Sequence, residues 1–200
     1  MNKKPTGVTG FIRIGPTGAN YHQTIFPETK EDIEKFIAEK FVLNLNKQNS
    51  FLQIKNFIKN KENDFDFLME TNIGKKDLDL MEIAPKDLMK NGYSNIPNNY
   101  YDIDFGKKVW AKVMEKNEHY GIKKKNLFLL IYPTDFRFNL SELCIQYIKY
   151  LANKEKHCFE MIFYFSMLDN DEGVGRLISP SEINHFDEER YKNNTTYSLL

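Results

Sequence analysis

Phe65-Asp66-Phe67-Leu68-Met69-Glu70-Thr71, then Asn72-Ile73-Gly74-Lys75-Lys76, then Asp77-Leu78-Asp79-Leu80-Met81-Glu82-Ile83-Ala84 is the stretch that decides the fold of this chain. Two runs of strand-forming residues flank a short polar segment with a glycine, the pattern of a β-hairpin, and Pro85 stops the second run. Strand alternation puts Leu78, Leu80, Glu82 and Ala84 on one face and Asp77, Asp79, Met81 and Ile83 on the other. Glu82 therefore shares a face with two leucines and an alanine. A carboxylate withdrawn from water without a partner is costly, so Glu82 is expected to be paired or metal-bound. Asp66, between Phe65 and Phe67, is expected as its near neighbour across the hairpin. Two carboxylates held close repel one another and raise a pKa unless a divalent cation lies between them. Oxygen ligands of this kind suit Mg²⁺ or Mn²⁺.

Outward from the hairpin, the chain reads as alternating helices and strands. Thr29, with Asp32 three residues on, caps a helix from Lys30 to Asn46 whose Ile33, Phe36, Ile37, Phe41 and Leu45 fall near helical spacing. Leu52 to Asn60 fits either a short helix or an ill-formed strand. Lys86 to Tyr101 is turn-rich and reads as a polar loop. Asp104 is expected to cap a helix from Phe105 to about Tyr120, ended by Gly121. Val109, Val113 and Trp110 lie on its apolar side. Asn126 to Tyr132 and Cys158 to Leu168 are near-continuous apolar runs, the mark of strands buried on both faces. Between them Asn139-Leu140-Ser141-Glu142 opens a helix that reaches about Ala152. Gly7 to Pro27 reads as strand or irregular cover with a turn at Gly15-Pro16-Thr17-Gly18. Arg176 to Ser179 reads as an edge strand, and the last fifteen residues as a polar, frayed tail or cover for a partner. Strands buried on both faces need helices above and below. The expected class is α/β, three-layer, with a central mixed sheet flanked by helices. The chain is expected to be one domain over residues 1–200, with its core at about 30–168.

Composition limits the function classes. In 200 residues Lys plus Arg is 28 and Asp plus Glu is 28, so the formal net charge is zero. That excludes a globally basic nucleic-acid coat or polybasic membrane binder but leaves room for a local basic face. No apolar run approaches the roughly 18 residues that span a bilayer, and no apolar stretch follows Met1-Asn2-Lys3-Lys4-Pro5 as a secretory signal requires. A soluble, cytoplasmic protein is expected. Cys144 and Cys158 form no CxxC pair and fall short of the four soft ligands of a structural zinc site, so they read as thiols in a reducing compartment. There is no phosphate-binding loop, no GxGxxG and no serine on a nucleophile elbow.

The order helix, hairpin, helix-flanked strands, with Asp66 on one hairpin strand and Glu82-Ile83-Ala84 on the next, resembles the PD-(D/E)XK, or restriction-endonuclease-like, nuclease superfamily over roughly Lys30 to Leu168. The resemblance implies that Asp66 and Glu82 bind Mg²⁺ or Mn²⁺ together with the backbone carbonyl of Ile83. It implies a helper Glu on the first helix, for which Glu39 is the first choice and Glu34 the second. The family's proline is missing, since Phe65 precedes Asp66. Ala84 stands where the family places a lysine that orients or activates the attacking water, with Lys86, Lys75 and Lys76 close by in sequence. The activity implied is hydrolysis of phosphodiester bonds in nucleic acid, expected to be DNA, in defence against foreign DNA or in DNA processing. A protein partner or self-association would supply targeting.

Other features divide between site and scaffold. Lys123, Lys124 and Lys125 follow Gly121 and are the candidate phosphate contacts, or else a solubilising loop. His119 suits the negative end of its helix dipole. Tyr132, Asp135 and Arg137 follow a central strand, where α/β sheets often place ligands, and Asp135 with Arg137 reads equally as a structural ion pair. The missing lysine at Ala84 favours a second reading, a catalytically inactive nuclease fold that serves as a binding or assembly subunit.

Overall fold

Thr29 opens the first helix by accepting a hydrogen bond from Asp32 N at 3.1 Å and donating one to the Asp32 carboxylate at 2.6 Å. In the computed structural model of the chain, which describes residues 7–48, 51–60, 65–84, 99–121 and 126–197, this helix, α1, runs Lys30–Lys47. Before it stand β1 (Thr9–Gly15) and β2 (Gly18–Thr24), paired antiparallel as a separate two-stranded sheet. After it come β3 (Ile54–Lys59), β4 (Phe67–Thr71) and β5 (Gly74–Glu82). The chain continues with β6 (Asn99–Tyr101), α2 (Asp102–Tyr120), β7 (Leu127–Tyr132), a 3₁₀ turn (Phe136–Phe138) and α3 (Glu142–Lys154). It ends with β8 (Met161–Met167), β9 (Gly173–Ser179), α4 (Glu188–Tyr191) and β10 (Thr195–Tyr197).

Six strands form one mixed sheet in the order β9-β8-β7-β5-β4-β3. β3, β4 and β5 are an antiparallel meander, β5, β7 and β8 are parallel, and β9 returns antiparallel on β8. All six residues of β7 are buried, as its continuous apolar run requires. The two faces carry two cores. Ile33, Ile37, Phe41 and Leu45 of α1 pack with Leu78, Leu80, Phe128, Leu130, Phe163 and Phe165. Val109, Trp110 and Val113 of α2, with Cys144, Ile145 and Ile148 of α3, pack with Met81, Ile83, Leu129, Ile131 and Ile162. The alternation of β5 is that expected from its sequence, and the fold is a three-layer α/β sandwich.

Several local expectations change. Leu52 to Asn60 contains a strand, β3, because Ile58 and Lys59 pair with Leu68 and Phe67 at the sheet edge. Asp104 lies within the first turn of α2 rather than at its cap, and the helix begins at Asp102. The buried Asp102 carboxylate there accepts from Ser141 Oγ and Asn194 Nδ2, both at 2.6 Å. Ser141, not Asn139, caps α3, accepting from Cys144 N at 3.0 Å. Gly121 ends α2 at φ 64°, a left-handed conformation natural to glycine. The polar tail is not frayed throughout: β10 pairs with β6, and Asp102 N donates to Asn194 O at 3.0 Å. The proposed loop from Lys86 lies largely outside the described residues. No described helix is long and apolar enough to cross a membrane.

Candidate functional site

The site grows from the unequal lengths of β4 and β5. β4 begins at Phe67, opposite Leu78, so β5 continues beyond it as Asp79, Leu80, Met81 and Glu82. One step back from Phe67 the antiparallel register sets Asp66 against Asp79. Asp66 Oδ2 accepts from Leu80 N at 2.7 Å and thereby caps a strand edge that β4 does not reach. The cross-strand neighbour of Asp66 is thus Asp79 rather than Glu82, a correction that follows from where β4 starts.

Electrostatics at this point are unbalanced. Burial pushes the Asp66 carboxyl up to about 7, and the charges of Asp79 and then Glu34 add to the effect, while the Leu80 N–H opposes it. Asp79 is 4% exposed and is held by Lys116 of α2, whose Nζ lies 2.5 Å from Asp79 Oδ2. Asp66 thus sits beside a buried carboxylate whose lysine belongs to the opposite helix layer.

Glu82 lies further along β5, beside Tyr132 of β7, and Ile83 N donates to Tyr132 O at 2.7 Å. Thr134, just past the end of β7, donates its hydroxyl to Glu82 Oε1 at 2.5 Å. The first turn of α1 joins Glu82 to the same neighbourhood. Lys30 Nζ is 3.3 Å from Glu34, and the Lys30 pKa is raised first by Glu34 and then by Asp66 and Glu82. Lys30 is thus paired with Glu34 and within electrostatic reach of Asp66 and Glu82, although Asp66 and Glu82 do not face each other across the hairpin.

The candidates from sequence separate as follows. Of the two helix glutamates, Glu34 is the one whose charge bears on Asp66, while Glu39, 45% exposed, pairs with Lys35 at 4.0 Å. Ile83 is buried in the core between the sheet and the α2–α3 layer. Lys75 lies opposite Glu70 near the β4–β5 turn, and Lys76 is spent on Glu160 at 2.6 Å. Lys86, Lys123, Lys124 and Lys125 lie outside the described residues. Asp135 and Arg137 are a buried ion pair, Nε to Oδ1 2.7 Å and Nη2 to Oδ2 2.8 Å.

Asp79, Lys116 and Lys112 escaped the sequence reading. Lys112 Nζ donates to Ala84 O at 2.8 Å, at the residue where the family pattern would have its lysine. A signal for the two lysines existed: Lys112 and Lys116 are four residues apart, hence on one helix face. What placed that face over β5 was packing.

Among the described residues, no group of three or more His, Cys, Asp or Glu side chains is arranged to hold a metal ion. Mg²⁺ commonly takes only one or two protein carboxylates and keeps several waters. Asp66 and Asp79 would bring two hard carboxylate donors to such a site, with Lys116 on Asp79 as the competing cation. No family model, no curated protein and no solved structure matches this chain.

Proposed function

We propose that the protein is a metal-dependent nuclease with a restriction-endonuclease-like core, hydrolysing phosphodiester bonds in DNA. The observation that carries this reading is Asp66 set against Asp79 at the start of β4, its carboxyl pushed up to about 7 by burial and then by the charges of Asp79 and Glu34. A bound Mg²⁺ or Mn²⁺ would supply polarisation of a phosphoryl oxygen and a water of lowered pKa. Asp66 and Asp79 are the residues to hold it. Thr134 fixes the Glu82 carboxylate in one orientation, and Lys30 offers a cation beside Asp66 and Glu82 toward which a phosphate could be drawn. Work on foreign DNA or in DNA processing belongs to the same proposal, as does targeting by a protein partner.

The test is cleavage of labelled plasmid and single-stranded nucleic acid with Mg²⁺, Mn²⁺ or EDTA, comparing wild type with Asp66→Ala and Asp79→Asn. Metal-dependent cutting that falls at least a hundredfold in both variants supports the reading. No cutting by the folded wild type defeats it. One observation favours a second reading, an inactive nuclease fold used for binding or assembly: Ala84 replaces the lysine, and Lys116 already neutralises Asp79.

A further inference from the structure

The β1–β2 hairpin has one anchored face and one free face. On the anchored face Phe11 stacks on His22 at 5.0 Å, His22 approaches Asp169 at 3.9 Å, Arg13 approaches Glu172 at 3.8 Å, and Thr9 and Thr24 are fully buried opposite one another. The register gives the other face Gly10, Ile12, Ile14, Ala19, Tyr21 and the polar Gln23. Ile12 is 60% exposed, Ile14 83% and Tyr21 59%, and this face carries no charged side chain of either strand. A cleft of about 610 Å³ opens beside Gly10, walled by Val8, Phe11, Ile12, Tyr21, Phe136 and Arg137.

Among the described residues the edge of β1 is open as well. Val8 spends its backbone N–H on Asp135 Oδ2 at 3.2 Å and its carbonyl on Phe136 N at 2.8 Å, both on the side away from β2. The two-residue period of a strand turns the backbone groups of Gly10, Ile12 and Ile14 the same way. Among the described strands β1 pairs with β2 alone. None of the usual guards of an edge, a lysine, a proline or an inward charge, stands at these three outward-turned positions.

We propose that β1 pairs antiparallel with β1 of a second copy of this chain, about a two-fold axis through Ile12. In that register Ile12 meets its own copy and Gly10 meets the partner copy's Ile14. The fit is self-complementary: the most exposed hydrophobic side chain of one strand, Ile14, is carried to the glycine, and to the cleft beside it, in the other. A Cβ at residue 10 would stand 2.2 Å from His22 O and 3.1 Å from the Tyr21 hydroxyl, so that position is kept free of a side chain. The exposed parts of Val8, Ile12, Ile14 and Tyr21 amount to roughly 500 Å² per copy, a large share of the about 800 Å² that each partner of a stable interface buries. Paired strand edges and Phe136 add to it. A formal net charge of zero leaves no long-range repulsion against self-association. Val8, Ile12 and Ile14 along the edge argue for a protein strand as occupant, whereas Tyr21, Phe136 and Arg137 in the cleft are the groups a nucleic acid would use.

Sedimentation velocity across a low- to high-micromolar dilution series tests the pairing, with Ile12→Asp and Ile14→Asp as variants. Both positions are solvent-exposed in one copy, so the variants fold, as circular dichroism melting will verify. Wild type is expected to dimerise, and each variant to weaken dimerisation tenfold or more. Ile12→Cys is expected to cross-link to itself on mild oxidation, whereas Ile25→Cys, 73% exposed but off the β1 edge, does not. A wild type that stays monomeric throughout overturns the proposal, as does a dimer indifferent to Ile12→Asp. Capture of a single-stranded oligonucleotide by the monomer, lost in Ile12→Asp, also overturns it by giving this face another occupant.

Discussion

Asp66 and Asp79 oppose each other at the end of β4, and a lysine holds only the second: Lys116 lies 2.5 Å from Asp79, whereas Asp66 rests on the Leu80 N–H at 2.7 Å. Two carboxylates in a half-buried space with one bound lysine make the folded state take up a proton.

Stability should follow that proton. The Asp66 carboxyl ordinarily titrates near 3.8 and does so at about 7 in the fold, so the folded state binds the extra proton between these values. The associated stability is complete below the lower value and is lost as pH rises through the higher one. Urea denaturation in EDTA is expected to show a loss on the order of 2 kcal/mol between pH 5 and 8. Asp66→Asn should flatten the profile and be the more stable protein at pH 8. An unchanged slope in the variant would remove Asp66 from the account.

Lys116 is the counter-charge of a carboxylate that is 4% exposed. Lys116→Met leaves Asp79 buried and unpaired and should destabilise the protein by about 3 kcal/mol. Asp79→Asn in the same background should restore most of it, because removing both charges removes the uncompensated one. A double-mutant cycle in urea measures the coupling, and additive losses would show that the pair is not an energetic unit.

Asp135 ties the N-terminal hairpin to the main sheet. Its carboxylate is fully buried, chelates Arg137 and accepts from Val8 N at 3.2 Å. Asp135→Ala should cost about 3–5 kcal/mol and free the hairpin. Limited proteolysis reads the second effect: cleavage between Gly15 and Gly18 should accelerate well before the remainder of the chain is cut. Uniform protection would mean that the Arg13 and His22 contacts suffice to hold the hairpin.

Gly106 lets α2 and α3 come together. A Cβ there would stand 2.9 Å from Tyr147 Cδ1 and 3.5 Å from Cys144 Sγ. The gain in helix propensity from Gly106→Ala, about 1 kcal/mol, is opposed by overpacking in a dense core, about 1–3 kcal/mol. The expected outcome is a lower melting temperature, and a rise would mean that the Tyr147 ring gives way freely.

Much of the architecture was legible in the chain because its causes are local. The Thr29–Asp32 cap, the helical spacing of Ile33 to Leu45, the apolar run Leu127–Tyr132 and the alternation of Leu78, Leu80 and Glu82 are set by the geometry of helix and strand. The same holds for Gly121 as a helix end. What resisted reading was strand length and register. A three-residue difference in the register of β4 on β5 separates Glu82 from Asp79 as the neighbour of Asp66, and β-propensity does not mark register. The choice between Glu34 and Glu39 was of the same kind, since the docking of α1 on the sheet decides which glutamate overlooks Asp66.

The sequence by itself determined the three long helices and the central strands, that two strands must be covered on both sides, and that Asp66 and the acidic strand after it lie side by side. Tertiary structure alone decided that Lys116 and Lys112 of α2 reach Asp79 and Ala84, that Thr134 takes Glu82, and that the tail strand β10 closes on β6. Periodicity is written into neighbouring residues. Partners 28 to 98 residues apart are brought together by the packing of whole layers, and no local pattern encodes that.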